Sequence, residues 1–242
     1  MASNTTRIKK HQQLKVTIDK KVFKKFPKLQ IALFYVKGID NFSKAAEAKH
    51  LLEDVEEWVH LTFHKETMKN HYLLSPWSVA QAEFGKQAQH YHTSVEKLLQ
   101  EVLKKKKVVA NDTLTTLMRY LSLRHLIPSG IDNYDKLVGD VTFNLSKGRE
   151  RVGLLHTIKP EALFYHDTKK VLGLKLDFWH NKKTMLTKES NAALIHFDVL
   201  PPIDKQKLNY LVKDAKEVIK TFCGGRLKYA LLDRKKNMIR IS

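Results

Sequence analysis

The chain has 242 residues, of which 44 are Lys or Arg and 25 are Asp or Glu, so its formal net charge is +19. Hydrophobic residues make up 43% of the chain, with 9 Gly and 6 Pro, and this composition excludes a protein that is disordered throughout. The longest stretch without a charged residue, 70–82, is too short to span a membrane. We therefore expect a folded protein with no membrane partner.

The number of cysteines limits the cellular compartment and the kinds of site that the sequence allows. Cys223 is the only cysteine, which excludes an internal disulfide and a thiolate zinc site, since such a site needs at least two cysteines. The basic N-terminal residues are not followed by an apolar segment, so we expect no secretory signal. These features favour a reducing, cytoplasmic location.

The first part of the chain predicts mainly helices. Residues 1–13 are polar and basic, and we interpret them as a flexible tail. Alternating and continuous apolar runs then predict a half-buried strand over 14–18 and a buried strand over 29–36. Apolar spacing predicts a helix within 44–71 and another over 112–125. Two further helices are expected to begin at Ser75 and at Ser94, with these serines as their N-caps.

The second part predicts mainly strands. Apolar segments indicate strands over 141–145, 152–158, 162–166, 171–179 and 192–197. A helix over 205–222 should end at Gly224, and the segments 228–232 and 238–241 should form a closing hairpin. Helices that precede strands favour an α+β fold over an alternating α/β fold, and without an evident linker we expect one domain, 14–242.

Clustered lysines favour a polyanionic partner, transfer RNA or another RNA. Lysine far outnumbers arginine and suits phosphate contact better than base reading. The alternative is a lysine-rich surface that is merely well solvated. The candidate RNA-binding residues are Lys9, Lys10, Lys104, Lys105, Lys106, Lys107, Lys235 and Lys236.

General catalytic motifs are missing from the sequence. No segment matches a P-loop, a dinucleotide fingerprint or a nucleophile elbow. His60 and His64 have helical i, i+4 spacing, but nothing near them completes a metal site, and we expect a surface cluster. Cys223 is expected to be a small buried hydrophobe. We therefore expect neither a metal nor a cofactor.

Five short segments carry a resemblance to a known family. They read VKGIDN after an apolar strand, SVEKLL, YLSLRHLIP, YDKLVGD, and LTKES followed by an apolar strand, and they begin at Val36, Ser94, Tyr120, Tyr134 and Leu186. In order and spacing they resemble the B3/B4 domain, the editing module of the phenylalanyl-tRNA synthetase beta subunit, and more closely the freestanding B3/B4 proteins. The resemblance covers the chain apart from the tail.

This resemblance implies a fold and an activity. The implied fold is α+β, with a β-sandwich of unusual topology layered against helices. In the synthetase the module binds the 3′ end of mischarged transfer RNA and hydrolyses the aminoacyl ester. Such a reaction needs a positioned water and donors for the carbonyl oxygen.

The chain departs from the synthetase pattern at the residues that the family uses. Gly130 stands where the synthetase has a histidine, and His196 stands where it has a glutamate that recognises the wrong side chain. A helix asparagine aligns with Arg119, and a pair of glycines aligns with His180 and Asn181. The resulting pocket candidates are Arg119, Gly130, His180, Asn181, Thr187 and His196, and the pocket is expected between 119–130 and 179–196.

Three functions stay open at this point. The chain is either a freestanding aminoacyl-tRNA deacylase acting in trans, or a noncatalytic RNA-binding module, or a small-molecule binding protein with an amino-acid-like ligand. Each of the polar pocket candidates also has a structural explanation, as a core, helix-surface or turn residue. No catalytic residue can be assigned from the sequence, and the chain is not a complete tRNA ligase.

Overall fold

A computed structural model describes residues 13–152 and 156–241 of the chain. Its α-helices are α1 (Val22–Lys25), α2 (Ala45–Thr62), α3 (Ser75–Ala82), α4 (Ser94–Leu103), α5 (Thr113–His125) and α6 (Lys205–Cys223). Its strands are β1 (Leu14–Ile18), β2 (Gln30–Lys37), β3 (Ser129–Asn133), β4 (Val141–Leu145), β5 (Arg151–Val152), β6 (His156–Thr157), β7 (Leu163–His166), β8 (Val171–Leu174), β9 (Trp179–His180), β10 (Ala192–Val199), β11 (Arg226–Leu232) and β12 (Met238–Ile241). No helix among the described residues is long and apolar enough to cross a lipid bilayer.

The strands form two large sheets. One has the order β12-β1-β4-β7-β8-β9 and is mixed, because β1 and β4 run parallel. The other has the order β11-β2-β10-β3 and is antiparallel throughout. Helices together with a mixed and an antiparallel sheet confirm the predicted α+β class.

The four-stranded sheet is the middle of three layers. On β2, Phe34 and Val36 pack with the helices, whereas Leu33 and Tyr35 on the opposite face pack with the six-stranded sheet. This is the alternation that a strand produces when both of its faces are covered. All eight residues of β10 are buried for the same reason. The continuous apolar runs that predicted these two strands thus reflect burial between two layers.

The helix predictions are confirmed in kind and corrected at their ends. The helix predicted within 44–71 ends at Thr62, because Phe63 becomes extended. Leu74, not Ser75, occupies the N-cap of α3, and Thr93, not Ser94, occupies the N-cap of α4. The Thr93 hydroxyl can accept from the backbone N–H three residues on, which Ser94 inside the helix cannot do.

The predicted closing hairpin is wrong. β11 pairs with β2 in the four-stranded sheet, and β12 pairs with β1 in the six-stranded sheet. The turn between them resembles a hairpin locally, because Asp233 accepts hydrogen bonds from the amides of Lys235 and Lys236 at 2.8 Å each. Alternation of apolar residues identifies a strand but does not specify its partner.

Two strand predictions also change, and one strand was not predicted. The strand predicted over 152–158 is divided into β5 and β6, which pair with each other, and the strand predicted over 171–179 is divided into β8 and β9, which form a hairpin. The strand β3 was not predicted, because Ser129 and Gly130 after Pro128 are typical of a turn. Pairing with β10 holds β3 in the sheet.

Candidate functional site

A cavity of about 470 Å³ lies where the helix layer meets the edges of both sheets. One face of α4 and one face of α5 form a wall, since their lining residues recur at helical spacing. β3 closes the cavity beside them, Tyr165 and Lys175 form its floor, and the segment after β8 forms the opposite wall. The helix residues that line it are Ser94, Lys97, Leu98, Glu101, Thr115, Met118, Arg119 and Ser122.

A capping box fixes α4 against this cavity. The Glu96 amide donates to the Thr93 hydroxyl at 3.4 Å, and the Thr93 amide donates to the Glu96 carboxylate at 2.6 Å. The same carboxylate accepts from Gln81 Nε2 at 3.0 Å, and Glu96 is fully buried. These bonds satisfy helix N–H groups that would otherwise lack partners and hold the start of α4 in place.

Arg119 projects from α5 to the cavity wall. Its Nη1 donates to the carbonyl of Val108 at 2.6 Å, which holds the guanidinium in position. Burial lowers the pKa of Arg119, and the nearby carboxylates of Glu101 and Asp112 oppose that shift. The guanidinium stays charged, since arginine is not deprotonated in proteins, and it is suited to an anionic group in the cavity.

His180 and Asp132 form a dyad at the opposite wall. His180 Nε2 lies 3.0 Å from Asp132 Oδ1, and Asp132 is fully buried while the His180 side chain is 18% exposed. Asp132 also accepts from the hydroxyls of Tyr165 and Thr184. Burial alone would raise the pKa of Asp132, but these hydrogen bonds outweigh it and lower the pKa. A carboxylate only accepts, so His180 Nε2 carries the proton, and in the neutral ring Nδ1 is the nitrogen that can accept one.

A second buried network joins Lys175 in the cavity floor to residues beneath it. Lys175 Nζ is 3.1 Å from His196 Nε2 and 3.2 Å from Asp198 Oδ2, and His196 Nδ1 is 2.9 Å from Asp198 Oδ1. Lys175 Nζ also lies 4.4 Å from the centroid of the Tyr165 ring. Lys175, His196 and Asp198 are all buried. Carboxylate, imidazole and ammonium thus contact one another below the cavity, and within the described residues Asp198 Oδ2 makes the ion pair with Lys175 but no hydrogen bond.

The protonation states of this network follow from its geometry and burial. Burial and the ammonium of Lys175 lower the pKa of His196, which favours a neutral ring. Burial lowers the pKa of Lys175, with the attraction of Asp198 opposing it. Burial would raise the pKa of Asp198, but Lys175 and His196 lower it. His196 therefore donates from Nδ1 to the carboxylate and accepts from Lys175 at Nε2.

Two glycines make room for this floor. A Cβ on residue 130 would lie 2.2 Å from His196 Nε2, and a Cβ on residue 173 would lie 2.5 Å from the Tyr165 ring. Real Cβ atoms do not approach other atoms so closely. Gly130 and Gly173 therefore let two sheet strands pass over the rings that form and support the floor.

The structure places three of the six predicted pocket residues on the cavity wall, namely Arg119, Gly130 and His180. His196 lies under Gly130 and is 1% exposed, so it supports the floor and does not line the cavity. Asn181 donates from Nδ2 to the carbonyl of Val171 at 2.7 Å. The Thr187 amide donates to the hydroxyl of Ser190 at 2.9 Å, so these last two positions organise turns.

The predicted RNA-binding lysines are dispersed. Lys9 and Lys10 lie outside the described residues. Residues 104–107 are exposed and follow α4, which packs beside β3. Lys235 and Lys236 lie in the turn after β11, at the opposite edge of the four-stranded sheet. RNA binding by these lysines stays a prediction.

Lys175, Asp132 and Tyr165 were not among the site residues predicted from the sequence. Lys175 interrupts an apolar stretch, and a charged residue in a buried strand needs a partner, whereas Asp132 follows the turn-like Ser129 and Gly130 and gives no such signal. The partners of both residues come from other segments of the chain. The convergence of these groups becomes visible only with the sheet register.

Two other sequence candidates lie away from the cavity. Cys223 is buried at the end of α6, and burial raises the pKa of its thiol to about 12. His60 and His64 are exposed. Within the described part of the chain, no three His, Cys, Asp or Glu side chains are grouped so that they could hold a metal ion.

No protein-family model matches the chain, and no curated protein matches it significantly. Among solved structures, the chain is similar to an N-terminal fragment of the phenylalanyl-tRNA synthetase beta subunit from Pyrococcus horikoshii, with a TM-score of 0.44 and 11% identity. The match covers 88% of this chain and 49% of that chain, so the protein spans about half the length of that fragment.

Proposed function

We propose that this protein is a freestanding B3/B4-like protein that binds transfer RNA and hydrolyses the aminoacyl ester at its 3′ end in trans. Residues 14–242 would form a single domain for this task. The observation that carries the proposal is the His180–Asp132 dyad on the wall of a 470 Å³ cavity. A histidine oriented by a buried carboxylate is an arrangement suited to a general base.

The dyad supplies the proton transfers that ester hydrolysis needs. A water bonded to His180 Nδ1 attacks the ester carbonyl carbon and gives its proton to the imidazole. The tetrahedral intermediate then expels the ribose oxygen, which takes the proton back from the imidazolium. Asp132 holds the ring orientation and stabilises the imidazolium, while Tyr165 and Thr184 keep Asp132 ionised.

The remaining cavity walls suit an aminoacyl group. Leu98, Met118, Ile131, Leu174 and Leu186 provide an apolar lining. Arg119 provides a fixed positive charge opposite the dyad, suited to the developing oxyanion or to a phosphate. The cavity volume is within the usual range for small-molecule sites.

The departures from the synthetase pattern support a changed base. Gly130 stands where the synthetase has a histidine. The His196 ring occupies the space that a side chain at position 130 would need. His180 instead stands where the synthetase has one of two paired glycines. We infer that the imidazole has moved to the opposite wall, and that the lost glutamate changes which amino acid is recognised.

A deacylation assay tests the proposal. Wild-type protein is incubated with a panel of mischarged transfer RNAs, and the release of each amino acid is measured. We expect release for at least one aminoacyl group, and a rate lower by about 10²-fold or more in His180→Ala, as for the loss of a general base. His60→Ala, an exposed histidine on α2, is the matched control and should keep the wild-type rate.

Two results would contradict the proposal. Binding of transfer RNA without release of any amino acid would favour the noncatalytic RNA-binding module. Release that is equally fast in wild type and His180→Ala would retain the activity but remove His180 as its base. Asp132→Asn tests the carboxylate of the dyad separately from the imidazole. The substitution keeps the shape of the side chain and should still slow the release of the amino acid.

A further inference from the structure

A second depression, an open groove of about 870 Å³, lies on the outer face of the six-stranded sheet. Along β7, Leu163 and Tyr165 face the core between the sheets, so Phe164 and His166 face outward. The groove continues across β8 to the edge strand β9. The six-stranded sheet thus lies between the groove and the cavity, except at its edge strand β9.

The groove carries an excess of unpaired positive charge. Its two acidic residues are satisfied internally: Glu150 accepts from the Ser146 hydroxyl at 2.6 Å, and Asp167 accepts from the Lys170 ammonium at 2.8 Å and from backbone amides. Five basic side chains in the groove are exposed and have no ion pair within the described residues. They are Lys147, Arg151, Lys169, Lys182 and Lys183.

Flat rings line the same groove. His166 stacks on the buried Phe164 ring, with centroids 5.4 Å apart and an interplanar angle of 24°. The His166 ring is also fixed by a 2.7 Å hydrogen bond between Nδ1 and the carbonyl of Asp167. Trp179 is half-buried at the β9 end. A basic groove with aromatic platforms is typical of surfaces that bind unpaired bases, whereas bases in a duplex are stacked on one another.

The groove and the cavity meet at β9, because Trp179 and Lys182 line both of them. We propose that the groove binds single-stranded RNA, with phosphates on the exposed basic side chains and bases on His166 and Trp179, and that it leads the 3′ end of the strand over β9 to the cavity. The fate of that end rests on the proposed function. The binding surface itself rests only on the groove.

The first test measures affinity by fluorescence anisotropy, with a 12-nucleotide single-stranded RNA that ends in CCA and carries fluorescein at its 5′ end. The groove variant is Arg151→Glu/Lys169→Glu/Lys183→Glu. The matched control, Lys205→Glu/Lys213→Glu/Lys220→Glu, makes the same charge change on exposed positions of α6. We expect the groove variant to lose about tenfold or more in affinity, and its slope of log K against log salt to flatten by about 2, as for three lost phosphate contacts.

Three outcomes of this test overturn the proposal. An equal loss in the α6 control means that total charge, and not the groove, sets the affinity. Equal or tighter binding of a duplex of the same length means that unpaired bases are not recognised. Polyglutamate and polyuridylate are compared as competitors. If polyglutamate displaces the RNA at a lower concentration than polyuridylate does, the partner of the groove is an acidic protein instead.

Tryptophan fluorescence tests the aromatic platform. Stacking of a base on Trp179 should quench part of the emission when the RNA is added. The quenching should disappear in Trp179→Leu and persist in Trp58→Leu, which removes a tryptophan that is 39% exposed on α2. Quenching that persists in Trp179→Leu overturns the placement of the strand. Circular dichroism verifies that each variant is folded.

A short ester separates this proposal from the proposed function. An aminoacyl adenosine reaches the cavity but is too short to occupy the groove. If both proposals hold, the groove variant hydrolyses this ester at the wild-type rate and the aminoacylated oligonucleotide more slowly. If only the function fails, wild type hydrolyses neither substrate while the groove variant still loses RNA affinity. If only the groove fails, hydrolysis occurs and the groove variant binds RNA like wild type.

Discussion

Gly130 lies directly over the imidazole of His196, so that a Cβ at position 130 would stand 2.2 Å from Nε2. The two residues are also register partners on β3 and β10. The glycine is required because the His196 ring occupies the space of its missing side chain and bonds to Lys175 and Asp198 there. The cavity wall and the network below it therefore meet where the Gly130 backbone packs against the His196 ring.

Gly130→Ala should destabilise the protein by about 1–3 kcal/mol, because the new methyl group forces the His196 ring away from its partners. In a His196→Ala background the same substitution should cost much less, since the obstructing ring is gone. Urea unfolding of the two single variants and the double variant measures this coupling. An equal cost of Gly130→Ala in both backgrounds would contradict the contact.

The fold was largely predictable where burial determines the local pattern of apolar residues. The runs that became β2 and β10 are nearly continuously apolar because both faces are buried, and the amphipathic helix α6 ends at Gly224 as expected. The partner of β12 was not predictable, because its residues alternate equally well in either sheet. Strand pairing between distant segments is decided by the layers and not by local sequence.

The candidate site was predictable only in part, for a related reason. The segments that form its two walls were identified, but its floor was not. Lys175 is one of 44 Lys and Arg residues, and its apolar neighbours do not show which residues would pair with it. Its role comes from β10, which brings His196 and Asp198 beneath β8. Asp132 acquires its three donors in the same way, from Tyr165 on β7 and from His180 and Thr184 in the segment after β8.

Lys175→Met should destabilise the protein by about 3–5 kcal/mol, because it leaves the buried carboxylate of Asp198 without its cation. Adding Asp198→Asn removes the unpaired charge and should recover part of that loss. The free energy of unfolding from urea titrations checks both statements. If the double variant were less stable than Lys175→Met alone, the ion pair would not be the source of the cost.

Tyr165→Phe removes the hydroxyl that donates to Asp132 at 2.9 Å while keeping the buried ring. The loss of a hydrogen bond to a charged group predicts a destabilisation of about 1.5–3 kcal/mol. Burial and the nearby carboxylate of Asp132 raise the pKa of Tyr165 well above its usual value, so the hydroxyl is the donor at neutral pH.

Tyr229→Phe is the matched control for this variant. The Tyr229 hydroxyl has no hydrogen bond to any described residue, and its ring packs against Phe34 at a centroid distance of 5.0 Å. We expect a change within about 0.5 kcal/mol. If deacylation is observed, Tyr165→Phe should also lower kcat more than it changes KM, because the hydroxyl that it removes acts on Asp132, while the ring that forms part of the cavity floor is kept.

The protein should lose stability as the pH falls from about 6.5 to about 4. Burial and nearby lysines lower the pKa of His92 to about 4, and burial also lowers the pKa of His196. Between the folded and unfolded pKa values the unfolded chain binds more protons, so the free energy of unfolding decreases with falling pH, by up to about 1.4 kcal/mol per pH unit for each histidine. His92→Gln should flatten this slope in urea titrations at a series of pH values, whereas His60→Gln at an exposed position should leave it unchanged. Equal slopes in wild type and His92→Gln would show that His92 is not one of the groups whose protonation destabilises the fold.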